Sequence, residues 1–112
     1  MLSERNLDRR ILQELINYFF SVGVDELRAD LSISGGYLAI TVEGEIRMAE
    51  EVDIPHLNRI LNNGRKAEVE GYYAQLIGID QTDNDLELLA DLIDAGEAAW
   101  IEDRLRIRVW RE

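Results

Sequence analysis

The sequence predicts an α+β fold in which a four-stranded antiparallel sheet, made of two β-hairpins, is covered on one face by about four helices. Two stretches have apolar and polar residues in alternation, one N-terminal stretch has apolar residues at helical spacing, and three further helical stretches separate the hairpins. The predicted element order is therefore α-ββ-α-α-α-ββ, typical of a sheet with helices on its apolar face. At 112 residues, we expect one domain spanning residues 1–112.

The first predicted helix runs from about Asn6 to Val22, and Gly23 follows at a position that favours a helix end. Its apolar side chains cover an arc of roughly 220°, which is wider than a single core-facing stripe. They are Leu7, Ile11, Leu12, Leu15, Ile16, Tyr18, Phe19, Phe20 and Val22. We infer that this helix either lies between two layers of its own domain or presents part of the arc to another chain.

The first hairpin is predicted by a turn and a hydrophobic pattern that agree with each other. Gly35-Gly36 suits a two-residue turn with positive φ angles. Apolar residues alternate with polar ones on both sides of it: Leu27, Ala29, Leu31 and Ile33 before, and Leu38, Ile40 and Val42 after. A two-residue loop pairs Leu31 with Ile40, and it also pairs Arg28 with Glu43. We therefore expect one face of both strands to lie on the core.

The middle of the chain is predicted to form three helices, each followed by a glycine. They span about Pro55 to Asn63, Lys66 to Ile77 and Asn84 to Ala95. A second hairpin then pairs the short run Ala98 to Ile101 with a strand over residues 104–110. If Glu102-Asp103 forms the turn, Trp100 pairs with Leu105 and Ala98 with Ile107, which again brings apolar residues together.

The charge of the chain limits the classes of partner. Twelve basic and 23 acidic residues give a formal net charge of −11 and a pI near 4.4. Such a surface repels nucleic-acid phosphates and anionic lipid headgroups, so we expect neither nucleic acid nor a membrane as partner. The chain has no cysteine, which excludes disulfides and thiolate chemistry. The N-terminus has no apolar signal segment, and we predict a cytoplasmic protein.

Catalytic and metal-binding motifs are not found in the sequence. Its single histidine, His56, follows Pro55 at a predicted helix start, where a structural role is the simpler explanation. The acidic residues from Asp80 to Glu87 do not have the spacing of a calcium loop and are typical of a helix start. We therefore predict no enzyme activity, no metal and no cofactor.

One segment could form a small ligand site. Glu68, Tyr72 and Tyr73 lie around Gly71 in the second of the three middle helices. A glycine inside a helix costs about 1 kcal/mol relative to alanine, and close packing against another element is the commonest compensation. A ligand that approaches the helix at this point is the alternative.

Two groups of residues are candidate interfaces. One lies on the wide arc of the first helix and comprises Ile16, Phe19 and Phe20. The other is an arginine-rich face of the last strand and comprises Arg104, Arg106, Arg108 and Trp110. Arginine and tryptophan are enriched at interfaces, although acidic residues on neighbouring strands could equally neutralise the arginines.

From these observations we predict a non-enzymatic protein-interaction or assembly module whose partner is a second copy, as a homodimer, or another protein. The alternative is a regulatory protein that binds a small molecule or a cation without catalysis.

Overall fold

A computed structural model describes residues 4–63 and 86–112 of the chain. The elements are helix α1 (Glu4–Ser21), strands β1 (Val24–Ser34) and β2 (Tyr37–Ile46), a 3₁₀ turn (Ala49–Glu51), helices α2 (Ile54–Leu61) and α3 (Leu86–Ala90), and strands β3 (Ala95–Ile101) and β4 (Arg104–Arg111). The four strands form one antiparallel sheet in the order β1-β2-β4-β3. The predicted α+β fold with a four-stranded antiparallel sheet is thus confirmed.

The register of the first hairpin follows the prediction. Leu31 lies opposite Ile40 and Arg28 opposite Glu43. Gly35 and Gly36 have φ angles of 58° and 79°, in the left-handed region that a two-residue hairpin turn requires. The turn and the alternation fix the register together because both are local properties of the sequence.

The second hairpin is also confirmed. Trp100 lies opposite Leu105 and Ala98 opposite Ile107. Its turn contains no glycine, and Glu102 adopts a φ of 57° in its place. Strand β3 begins at Ala95, three residues earlier than the predicted run at Ala98, so the hairpin is longer than expected.

The core lies between the helices and one face of the sheet, which we call the helix-side face. On this face, strands β2, β4 and β3 contribute buried apolar side chains: Leu38, Ile40, Val42, Ala98, Leu105, Ile107 and Val109. The opposite face, which we call the outer face, consists mainly of charged and small side chains that are half-buried or exposed. None of the helices in the described part of the chain is long and apolar enough to span a membrane.

The number and order of helices differ from the prediction of about four helices in the order α-ββ-α-α-α-ββ. In the described residues the order is α-ββ-α-α-ββ with an additional 3₁₀ turn, and only α1 and α2 are longer than five residues. The predicted helix from Lys66 to Ile77 lies outside the described residues. Helix α2 matches its prediction closely, with Asp53 as N-cap accepting a hydrogen bond from the backbone nitrogen of His56 at 3.1 Å.

The predicted helix from Asn84 to Ala95 is wrong in its C-terminal part. Helix α3 ends at Ala90, and Gly96 lies inside β3 and does not end a helix. A Cβ atom on Gly96 would lie 2.8 Å from Cβ of Leu61 and 3.2 Å from the carbonyl oxygen of Arg108. This glycine is required because α2 packs very closely on β3.

Helix α1 is enclosed on more than one side, which accounts for its wide apolar arc. It contacts β1 and β2 as well as α3. Three charged residues of α1, Asp8, Arg10 and Glu14, are also buried, and Arg10 Nε lies 3.3 Å from Glu14 Oε2. Burial, with a smaller contribution from the carboxylate of Asp53, raises the pKa of Tyr18 above its ordinary value of 10.0.

Candidate interaction surface at the first strand

Contrary to the prediction, the helices do not cover the whole apolar row of β1. Ala29, Leu31 and Ile33 share the helix-side face with the buried side chains of β2, yet all three are exposed. Leu31 is 42% exposed and Ile33 39%, whereas their partners Ile40 and Leu38 are buried. The physical reason is position, because β1 is an edge strand. Helix α1 contacts β1 but leaves Ala29, Leu31 and Ile33 exposed.

The backbone of β1 also has an open side. In a two-residue hairpin the residues nearest the turn form a hydrogen-bonded pair, and the pattern then alternates along the strands. Ser34 and Tyr37 are that first pair, so the amide and carbonyl groups of Ala29, Leu31 and Ile33 point away from β2. Among residues 4–63 and 86–112, no strand pairs with β1 on that side. We call this open backbone and the apolar row Leu27, Ala29, Leu31 and Ile33 the β1 edge surface.

On the other edge of the sheet, two side chains of α2 bond the outward backbone groups of β3 at Ala98 and Gly96. The side-chain amide of Asn58 accepts from the nitrogen of Ala98 at 2.7 Å and donates to its carbonyl at 3.1 Å. The side-chain amide of Asn62 bonds Gly96 in the same two-way manner, at 3.3 Å and 2.9 Å. Each asparagine therefore substitutes for a residue of a neighbouring strand. Sequence analysis missed this pair, although two asparagines four residues apart on a helix were its signal.

The arginine-rich face of β4 lies on the outer face of the sheet, beside acidic residues. Arg104, Arg106, Arg108 and Trp110 are all half-buried there. Cross-strand neighbours place Glu45 opposite Arg104, Glu43 opposite Arg106 and Glu97 opposite Arg108. Each of the three arginines thus has an acidic cross-strand neighbour within the sheet, which reduces the cationic character of this face.

Two of these arginines make specific contacts on the outer face, one through ion pairs and the other with an aromatic ring. The guanidinium of Arg104 lies 3.8 Å from Glu43 and 3.7 Å from Glu26, which links β4 across β2 to β1. The guanidinium carbon of Arg108 lies 5.5 Å from the centroid of the Trp110 ring, a cation–π distance. Both contacts are made within the chain.

The candidate residues of α1 divide between core and surface. Phe19 is fully buried and packs edge-on against Tyr18, with ring centroids 6.2 Å apart, so it is a core residue unavailable to a partner. Phe20 is 65% exposed, the most exposed large apolar side chain of the described residues, and Ile16 is half-buried. The sequence could not separate Phe19 from Phe20 because neighbouring residues differ by only about 100° around a helix.

No family model matches the chain. Neither a curated protein nor a solved structure matches it. Its function is therefore inferred from its own surfaces. Of these, the β1 edge surface combines a row of exposed apolar side chains with outward backbone groups at Ala29, Leu31 and Ile33. On the β3 edge Trp100 is also 38% exposed, but Asn58 and Asn62 bond the outward backbone groups of Ala98 and Gly96.

A pocket of about 400 Å³ lies at the turn end of the first hairpin and extends the β1 edge surface. Ile33 and Tyr37 line it from the hairpin, Asp8 from α1 and Arg111 from β4. Arg111 is buried and donates from Nη1 to the carbonyl of Leu92 at 2.8 Å, so its side chain fastens the end of β4 to the segment after α3.

The candidate ligand region of Glu68, Tyr72 and Tyr73 lies outside the described residues, as do Asp80 and Asp83 of the acidic stretch. His56 is exposed in the first turn of α2, with Nδ1 3.4 Å from Nη2 of Arg59. Within the described ranges, no three histidine, aspartate or glutamate side chains are grouped as a metal site would need.

Proposed function

We propose that the protein is a non-enzymatic interaction or assembly module and that its partner binds the β1 edge surface. One observation carries the proposal: Leu31 and Ile33 are about two-fifths exposed although they lie on the same face as the core. Their edge strand also keeps its outward backbone groups open among the described residues. An extended segment of a partner can therefore add to the sheet and cover the apolar row in one step.

The energetics favour strand addition over contact through side chains alone. Covering the exposed part of Leu31 and Ile33 contributes about 1 kcal/mol for each side chain. The backbone hydrogen bonds that form along β1 add about 1 kcal/mol each and also fix the direction of the partner. The β3 edge offers fewer backbone hydrogen bonds, because Asn58 and Asn62 already occupy the outward groups of Ala98 and Gly96.

The charge of the chain favours a protein over nucleic acid or a membrane as the partner. A net charge of −11 opposes binding to nucleic acid and to anionic membranes. The absence of cysteine favours a reducing compartment, and we place the module in the cytoplasm on that ground.

Site-specific photo-cross-linking in cells of the source organism tests the proposal. A photoreactive amino acid is placed at Ile33 in the β1 edge surface, and in separate variants at Phe20 or Arg106 in the other two candidate interfaces. A variant at Asn63, an exposed residue after α2, is the matched control. We expect protein adducts from position 33 that are absent from position 63.

The position of the adducts decides between the surfaces. Adducts from Phe20 or Arg106 without adducts from Ile33 would place the interface on α1 or on the outer face, and they would contradict this assignment. Equal labelling from positions 33 and 63 would indicate non-specific collision and would also contradict it.

A further inference from the structure

We infer that the partner of the β1 edge surface is a second copy of this chain, with β1 paired antiparallel to β1 about a two-fold axis at Ala29. The inference rests on the proposed function, because it names the partner and the register for the same surface. The result would be one continuous sheet of eight strands, with the two β1 strands at its centre.

The length of β1 and its open groups place the axis. The strand spans Val24–Ser34, eleven residues with Ala29 at the centre, so an axis there overlaps the two strands along their full length. Ala29 and Leu31 have their backbone groups on the open side, which is the arrangement that hydrogen-bonded pairs across an antiparallel interface need. In this register each Leu27 lies opposite Leu31 of the second copy, and the two apolar rows join on the helix-side face.

The charges on the other face of β1 select this register. Arg28 and Asp30 flank Ala29 symmetrically with opposite charges, and both are exposed. About an axis at Ala29, each Arg28 lies opposite Asp30 of the second copy, which gives two ion pairs per dimer. An axis one residue earlier would set Arg28 against Arg28, and an axis one residue later would set Asp30 against Asp30. An axis at Leu31 would set both charged residues against serines. An axis at Leu27 would pair Arg28 with Glu26, but it would set Asp30 against Val24 and overlap only residues 24–30 of the two strands.

The groups that face Arg28 within its own chain do not oppose this pairing. Arg28 lies opposite Glu43 on β2, and Asp30 lies opposite the uncharged Thr41. Arg28 is therefore placed between Glu43 on one side and the position taken by Asp30 of the second copy on the other. A cation with an acid on each side is a favourable arrangement at an exposed sheet surface.

Two complementary charge reversals test the register. The variant Arg28→Asp carries an acid at both positions 28 and 30, and Asp30→Arg carries a base at both. We expect a wild-type dimer by light scattering and sedimentation at micromolar concentration, and a dissociation constant raised roughly tenfold or more in each variant alone. An equimolar mixture of the two variants should regain a dimer of one copy of each, because every facing pair is again of opposite charge.

Matched variants control for net charge. Arg59→Asp and Asp103→Arg change the net charge by the same amounts at exposed positions away from β1, and both should remain dimeric. Circular dichroism melts confirm that each chain is folded. Charge variants that dimerise as well alone as in the mixture would overturn the proposed register.

A cysteine pair tests the axis independently of charge, since the natural chain has no cysteine. In hydrogen-bonded antiparallel pairs the Cα atoms are about 5.5 Å apart, a distance that a disulfide spans. Oxidised Ala29→Cys should therefore form a covalent dimer, whereas Ile33→Cys, which lies opposite Asp25 in this register, should not. The reverse pattern would overturn the axis at Ala29.

The experiments separate this inference from the proposed function. A monomeric wild-type chain whose position 33 cross-links only to other proteins would overturn the second copy as partner and leave the interaction surface in place. A monomer without adducts at position 33 would overturn both.

Discussion

At the scale of single residues, Tyr18 shows how an ionisable side chain can depend on the fold. It is buried in α1 beside Phe19, and its burial together with the nearby carboxylate of Asp53 disfavours the phenolate. Its pKa in the folded chain is therefore higher than in the unfolded chain, where it titrates near 10.0. By linkage, the folded chain holds this proton more tightly than the unfolded chain does.

This difference predicts a loss of stability in alkali. The contribution of Tyr18 is fully present below the unfolded pKa of 10.0 and is lost as the pH rises through the folded value. In Tyr18→Phe the contribution is absent, so the free energy of unfolding should fall less steeply than in the wild type between about pH 9 and pH 11. Urea denaturation over that range measures it. Parallel pH profiles of the two proteins would contradict the prediction.

At the scale of elements, the two edges of the sheet differ in how their outward backbone groups are bonded. Helix α2 closes β3 with Asn58 and Asn62, whose side chains face the strand because four residues bring them to the same side of the helix. Close approach of α2 is possible because Gly96 has no side chain. The edge formed by β1 has no such cover in the described residues.

Removal of the asparagines should uncover β3. We expect Asn58→Ala and Asn62→Ala each to lower the free energy of unfolding by about 1 kcal/mol or more, because two backbone groups of β3 lose their hydrogen bonds in each variant. The exposed residue Asn63 gives the control, since Asn63→Ala should change stability by less than about 0.5 kcal/mol. Denaturant unfolding measures all three. A loss in the Asn58 and Asn62 variants no larger than in the control would show that the amides do not support the edge.

The extent to which elements could be predicted follows the range of the interactions. Both hairpin registers could be predicted because turn residues and alternation lie close together in the chain. The end of α3 could not be predicted. In the sequence, a glycine after a helical stretch indicates a helix end, and nothing nearby shows that Gly96 lies in a strand instead. Only the contact of Gly96 with Leu61, 35 positions earlier, distinguishes the two.

The candidate site was harder to predict than the fold. The alternation in β1 indicates an apolar face but not whether helices reach it, because that depends on the sheet order. Phe19 and Phe20 are both predicted as candidate interface residues, and only the direction in which α1 meets the sheet shows that Phe19 is buried and Phe20 exposed. The arginines of β4 are predicted as a candidate interface. Which acidic residues lie opposite them depends on the pairing of β4 with β2 as well as with β3, and the sequence does not specify the pairing with β2.

At the scale of the whole molecule, net charge opposes the proposed association through β1. Two copies bring together a charge of −11 each, and their long-range repulsion falls off with a Debye length of about 10 Å at 0.1 M salt. The two exposed pairs of Arg28 with Asp30 contribute only modestly, as exposed ion pairs generally do.

The balance predicts that salt strengthens the dimer. Between about 50 mM and 500 mM KCl the dissociation constant should fall roughly threefold or more, because screening reduces the repulsion of the whole molecules more than it weakens two local ion pairs. Sedimentation equilibrium in both buffers measures the change, with circular dichroism as a check on folding. A dissociation constant that rises with salt would show that the local pairs dominate.

The hydrogen bonds of Asn58 and Asn62 to β3 also bear on the size of the proposed assembly. A chain with two open edges could add copies at both ends and polymerise into a fibre of stacked strands. In the proposed dimer, pairing through β1 occupies one edge of each copy, and on the other edge Asn58 and Asn62 already bond the outward backbone groups of Ala98 and Gly96. If copies pair through β1 as proposed, these asparagines therefore oppose further growth at β3 in addition to supporting the fold.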